Sequence, residues 1–291
     1  MIHIFLYLHL FLLSALFSCP ANEISKADEM ILQNFWKYAQ SHRLDSLPVN
    51  ERIPYVAFFF LRTPYKSNTL NLTKKELPVI NLHELDCVTF VENVLALSYL
   101  SAYSQEYENV FVENIIKIRY RGGQIEDYTS RLHYSSDWLY EMQKQGLLTD
   151  LTPFAGGIPF SPQVFYMSRN SKLYPPLQDS KLLEKIKNIE TEINRRTYYY
   201  IPKVKVKEAY NKIKDGDIIL ITTRIKGLDT SHLGFAYKKD GKVWLLHASS
   251  QGKKVMISEQ PLQEYMEGIP SQNGIMIARA TSKTKFEKTG K

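Results

Sequence analysis

The 291 residues carry 37 basic and 30 acidic side chains for a net charge of +7, with 44% hydrophobic and 12% aromatic content. That supply of apolar side chains excludes a disordered chain and suits one large domain, or one domain with a sizeable insertion. The positive charge is scattered, with no zinc-finger spacing, no phosphate-binding glycine loop and no basic stripe interleaved with aromatics. No nucleic-acid partner is therefore expected; a polyanionic wall or lipid headgroups suit the charge.

Residues 2–17, "IHIFLYLHLFLLSALF", are almost wholly apolar and short for a spanning helix. "LFSC" closes the run, with Leu16 three residues before Cys19 and the small Ser18 directly before it. This ending resembles a bacterial lipobox. It implies a signal peptide over 1–18, lipidation at Cys19, and an exported, membrane-anchored lipoprotein of the cell envelope, facing the periplasm or on the cell surface. An ordinary cleaved signal or a retained anchor helix are the other readings. The chain has two cysteines, so acylation of Cys19 leaves Cys87 without an intramolecular disulfide partner.

Residues 25–44, "SKADEMILQNFWKYAQSHRL", read as an amphipathic helix capped by Ser25, with Ile31, Phe35 and Tyr38 on one face. Residues 48–65 hold a hydrophobic centre between prolines and are expected to pack on the core. Residues 77–86 lead extended into Cys87. From Cys87 to Leu100, Val88, Val91 and Leu95 share one helical face, with Phe90, Val94 and Leu97 beside it. That breadth implies a buried helix. Asp86 is a good N-cap, which sets Cys87 in the first turn. Another helix is expected over 105–119. Residues 120–205, richer in Tyr, Gly, Pro and Ser, read as an insertion of loops and short helices. After 208 the segments "GDIILITTR", "SHLGFAYKKDGKVWLLHASS", "KKVMIS" and "GIMIARAT" are β-rich, with a turn at Lys239-Asp240-Gly241 and a short helix at "PLQEYMEG". Helices first and an antiparallel sheet after make the fold α+β.

A thiol in the first turn of a buried helix meets free backbone N–H groups and the positive dipole end. Both favour the thiolate and can hold an oxyanion. Such a nucleophile needs a base, and the base needs an orienting partner. His232 and His247 lie eight residues before and seven after Asp240. They are therefore near cross-strand neighbours if they share a face. A buried hydrophobic thiol and two hydrogen-bonded strand histidines are the bland alternatives. A zinc site using Cys87, His232 and His247 is another.

"DCVTFVE" followed by "GDIIL", "SHLGFAY" and "DGKVWLLHASS" resembles the NlpC-type branch of papain-like cell-wall peptidases. "RLHYSSDW" (131–138), "GLDTSHLG" (227–234), "LLHASS" (245–250) and "GIMIAR" (274–279) are similar to a bacterial family of N-acetylmuramoyl-L-alanine amidase-like proteins. The resemblance implies a papain-like core whose Cys-bearing helix packs on an antiparallel sheet. It makes Cys87 the nucleophile, His232 the base and His247 the orienter, with no metal and no cofactor. The chain then divides into a 19–76 helical segment and a 77–291 catalytic domain with its insertion at about 120–205.

Within the insertion, Arg131, His133, Tyr134, Asp137 and Trp138 gather polar and aromatic groups. An Arg there suits muropeptide carboxylates and a Trp suits stacking, with core and salt-bridge roles equally weighted. Asp229 and Ser231 flank His232 as further substrate-side candidates, with turn-forming roles weighted the same. The expected activity is hydrolysis of peptidoglycan amide bonds, with stem peptides or muropeptides as partners and the membrane reached through the lipid anchor. Cleavage between D-glutamate and a diamino acid, or muropeptide binding without catalysis, are the competing functions.

Overall fold

The computed structural model describes residues 24–71 and 75–281. The expected signal peptide and Cys19 lie outside the described residues. Among the described residues, no helix is long and apolar enough to cross a membrane.

The N-terminal half is helical. Ser25 caps α1 (Lys26–Ser41) by accepting from the Asp28 N–H, and Leu32, Phe35, Trp36 and Ala39 are buried along it. Next comes α2 (Val49–Phe59). Its buried Arg52 donates to the carbonyls of Leu47 and Ser98 and so ties the helix to its neighbours. Then α3 (Cys87–Ser98) is followed by α4 (Glu108–Arg119). Every residue of α3 from Thr89 to Ser98 is buried, as the breadth of its apolar face implies. Such a helix must satisfy its own polar members inside the protein. Glu92 accepts from Arg119 Nε at 2.7 Å, Asn93 Nδ2 donates to Asn81 O, and Ser98 Oγ donates to Val94 O.

Four strands follow a common antiparallel path: β4 (Ile218–Thr223), β5 (Thr230–Lys239), β6 (Lys242–Ser249) and β7 (Lys254–Ile257). The hairpin turn at Asp240-Gly241 has both residues at positive φ, which matches the right-handed twist of the strands it joins. On the other side of β4 lies β8 (Gln272–Ala280). Between β7 and β8 sits α8 (Leu262–Glu267), the short helix expected there.

Residues 120–205 differ from the expected loops and short helices. They contain α5 (Ser135–Lys144), α6 (Tyr166–Arg169) and the 15-residue α7 (Ser180–Asn194). They also supply β1 (Leu148–Asp150), β2 (Ile158–Phe160) and β3 (Tyr198–Pro202). Both β1 and β3 pair with β8, and β2 pairs with β3, so the segment completes an eight-stranded sheet. Strands of three to five residues are too short for an alternating pattern to mark them. The overall architecture is mixed α+β, as expected.

Side-chain alternation gives the sheet two apolar faces. Leu220, Leu233, Phe235, Leu246 and Met276 face the helical layer, in one core with α1, α2 and α3. Ile219, Ile221, Ala236, Leu245 and Ile277 face a smaller layer built from residues 206–213 and α8. The helices before residue 76 thus share their core with the sheet.

The Glu92–Arg119 pair is almost fully withdrawn from solvent at both ends. Stripping one partner from such a pair leaves an uncompensated buried charge. Arg119→Met should therefore destabilise the fold by about 3–5 kcal/mol. The double change Glu92→Met with Arg119→Met should restore most of the loss. Urea unfolding midpoints of the three proteins check this, and a double variant no better than the single one would refute it.

Candidate active site

The position of Cys87 is set by a capping box. Asp86 Oδ1 accepts from the Thr89 N–H at 2.8 Å, and Thr89 Oγ1 accepts from the Asp86 N–H at 3.0 Å. Upstream, the Leu85 N–H donates to Pro64 O and the Lys66 N–H to Leu85 O, which holds the approach to the helix against residues 64–66. Cys87 is the first helical residue and is half-buried, with a free thiol.

The sulfur meets the sheet where two strands part. Pairing of β5 with β6 ends at Phe235↔Leu246. The Ala236 N–H donates to Asp217 O, so the odd-numbered amides of β5 point toward β6. The Leu233 N–H of β5 is close enough to the Cys87 sulfur to favour the thiolate. The Cys87 and Val88 N–H groups also favour the thiolate, yet burial and then the neighbouring Asp86 carboxylate push the thiol up to about 12. The thiolate-favouring effect of the helix start is present but loses to desolvation.

His232 and His247 come together as a direct pair. His232 Nε2 lies 2.6 Å from His247 Nδ1, with the rings nearly perpendicular. They are diagonal rather than opposite neighbours. Carrying the register one step beyond Phe235↔Leu246 sets His247 opposite Gly234. A Cβ at Gly234 would stand 2.9 Å from His247 Cβ, so glycine leaves the room the imidazole needs. Burial holds His232 down to about 4; burial, followed by the His232 charge, holds His247 down to about 3. Both rings are therefore neutral at pH 7. Tyr265 of α8 packs edge-on against His247 at 5.4 Å between ring centroids, and its hydroxyl is close enough to Cys87 to feel a charge on the sulfur.

Beside the helix start lies a cavity of about 170 Å³, bounded by Asp86, Val88, Arg131, His133, Trp138 and Leu233. Arg131 lines it with its charge already matched, donating to both carboxylate oxygens of Glu76 at 2.9 and 2.8 Å. His133 Nε2 bonds Tyr128 O; burial, and then the nearby Arg131, hold the ring down to about 3. Trp138 is mostly buried, with Nε1 donating to Ile118 O.

Three other candidates point inward. Tyr134 donates to Glu190, and Asp137 binds Arg121 and Arg196. Asp229 accepts from the Ser136 and Thr230 N–H groups. None of the three lines a cavity beside Cys87 or the histidines. Ser231 is exposed and lines a separate hollow with His232 and His247. Asn68, Asn71, Ser135 and Tyr265 also line these hollows and were not singled out from the sequence. "SNTLN" carries no motif, and Tyr265 sits in a short helix whose pattern reads as packing.

As a zinc site, the cysteine and histidines would have to converge on one point. His232 Nε2 and His247 Nδ1 are instead spent on each other. Among the described residues, no three His, Cys, Asp or Glu side chains group as metal ligands.

Residues 55–275 match the family model described as N-acetylmuramoyl-L-alanine amidase-like (AmiA-like). A crystal structure of an N-acetylmuramoyl-L-alanine amidase from Bacteroides uniformis is 38% identical over 80% of this chain and 99% of its own, with a TM-score of 0.76. A Bacteroides fragilis protein carrying a xylanase name is also 38% identical, over 77% of this chain and 99% of its own, with a TM-score of 0.72. A Legionella pneumophila protein at 24% identity shares the fold, covering 87% of this chain and 94% of its own with a TM-score of 0.64. Comparison with curated proteins gives no match. The chain belongs to the N-acetylmuramoyl-L-alanine amidase-like family.

Proposed function

We propose that the protein is a cysteine amidase that hydrolyses the bond between the muramoyl lactyl group and L-alanine of peptidoglycan, on a papain-like core of the NlpC type. The observation that carries this is the His232–His247 hydrogen bond, on the strand whose Leu233 backbone faces a thiol at a helix start, within a family of amidase-like proteins. With Nε2 of His232 engaged by His247, Nδ1 is the nitrogen left for the thiol. His232 then carries its proton on Nε2 and donates it to His247 Nδ1, which leaves the His247 proton on its own Nε2.

At neutral pH the resting pair is thiol and imidazole. His232 takes the thiol proton as the sulfur attacks the amide carbonyl carbon. The N–H groups of Cys87 and Val88 supply donors for the oxyanion. When the tetrahedral intermediate collapses, the C–N bond breaks and the departing amine takes the proton from His232. Water, deprotonated by the same ring, then attacks the thioester and releases the acid and the thiol.

The xylanase name of the Bacteroides fragilis neighbour would call for two carboxylates facing each other across the cleft. Of those in the cavity, Glu92 is bound to Arg119 and Asp86 to the helix cap, so the thiol reading is favoured. We also propose that the apolar leader directs export and that Cys19 carries the lipid, because "LFSC" ends the leader on a cysteine.

Muropeptide digestion followed by mass spectrometry tests the bond. Stem peptide beginning with L-alanine and peptide-free sugar are expected, whereas L-alanyl-D-glutamate left on the sugar would assign the cut to an endopeptidase. Cys87→Ala should fold without turnover, and iodoacetamide should abolish activity by alkylating Cys87. His232→Ala should lose about 10²–10⁴-fold in rate. His247→Asn should lose about ten- to a hundred-fold, since an amide still orients the ring. Full activity in Cys87→Ala would end the thiol mechanism.

The pH profile follows from the lowered His232. A base whose proton affinity is depressed stays neutral above its own value and fails only when protonated below it. The acid limb of kcat/KM should therefore fall near pH 4 and not at the ordinary imidazole value of 6.5. A limb centred at or above 6.5 would refute this. For the anchor, a metabolically incorporated fatty-acid analogue should label the wild type and spare Cys19→Ala.

A further inference from the structure

The helix α1 carries none of the reacting groups, yet one of its side chains reaches the segment that delivers Cys87. Residues 76–84 belong to no helix or strand, so individual bonds have to hold the approach to α3. Arg119 donates to the Val79 carbonyl and Asn93 to the Asn81 carbonyl, and further on the Leu85 N–H reaches Pro64 O. Between these ties, Asp28 of α1 holds residues 82 and 83. Its Oδ1 accepts from the Leu82 N–H at 2.7 Å and lies 2.8 Å from His83 Nδ1. Its Oδ2 accepts from Ser25 Oγ at 2.5 Å.

Asp28 is 1% exposed, whereas the His83 side chain is 42% exposed. A carboxylate is costly to bury unless donors face it, and here donors face both oxygens. Docking of α1 does not require such a group, because Leu32, Phe35 and Trp36 already bury the helix in the core. What the carboxylate adds is a grip on the chain just ahead of the capping box, with His83 four residues before Cys87. Hydrogen bonds to a carboxylate are short and strong, so they narrow the paths this irregular segment can take. We propose that Asp28 is a positioning residue for the nucleophile. It fixes residues 82 and 83 and, through them, the placement of Asp86 at the cap and of Cys87 against substrate. Asp28 itself lines neither hollow beside the reacting groups. The proposal rests on the thiol reading.

Steady-state kinetics of the whole enzyme, paired with hydrogen exchange, tests it. Asp28→Ala removes the acceptor and should lower kcat by about ten- to a hundredfold with KM within about threefold, as a misplaced nucleophile would. Asp28→Asn keeps one oxygen for Leu82 and His83 and should hold kcat to within about threefold of the wild type. His83→Ala removes one donor from a part-exposed position and should lower kcat by about three- to tenfold. In both alanine variants the amides of residues 82–89 should exchange faster, while those of 90–98 stay protected. Ile193→Ala, at a fully buried position of α7, supplies a destabilised control. Assayed below its unfolding temperature, it should leave kcat and that exchange unchanged. Wild-type kcat and exchange in His83→Ala and in any folded Asp28→Ala, or a kcat loss matched by Ile193→Ala, would overturn the role. Failure of the thiol reading registers separately, as full activity in Cys87→Ala.

Discussion

The site depends on where α3 begins. If the helix started one residue earlier or later, Cys87 would turn about 100° around the axis and lose the amides that face its sulfur. The reciprocal bonds of Asp86 and Thr89 fix that start. The rest of α3 is held on every side, by Arg119 at Glu92, by Asn81 at Asn93 and by Asn114, whose Nδ2 donates to Ala96 O. A helix buried all round cannot slide without breaking these bonds, so the thiol is presented by a rigid element.

The same burial shapes the electrostatics. Desolvation penalises the thiolate and both imidazolium ions. A standing ion pair of thiolate and imidazolium is therefore costly. The partner of His232 is a neutral histidine. It can accept from His232 Nε2 without adding a fixed negative charge. A carboxylate in its place would raise the proton affinity of His232. With that partner and its burial, the His232 ring is uncharged at pH 7.

Much of this was legible in the sequence. Asp86 before a broad apolar run marked the helix start, and the Lys239-Asp240-Gly241 turn gave the spacing that brings His232 and His247 together. The diagonal offset was not legible, because it depends on where the β5–β6 ladder opens and on the space left by Gly234. The inward turn of Tyr134 and Asp137 was also hidden. Their partners Glu190 and Arg196 lie 56 and 59 residues away in a segment whose packing no local pattern announces. Charged side chains close together in sequence read alike whether they meet substrate or one another.

Asp229 shows how such a partner serves the site at second hand. Tyr134, at the N-cap of α5, makes no side-chain cap. Asp229 fills the role by accepting at 2.6 Å from the N–H of Ser136, 93 residues before it, while Thr230 Oγ1 donates to Ser135 Oγ. A carboxylate at a helix N-terminus is stabilised by the free amides there. The cap thus joins the helix that carries Trp138 to the strand that carries His232. The wall of the cavity beside the α3 start is fixed relative to His232 by a residue that lines neither. Its nearness to His232 in sequence reflects where β5 is tied to the start of α5.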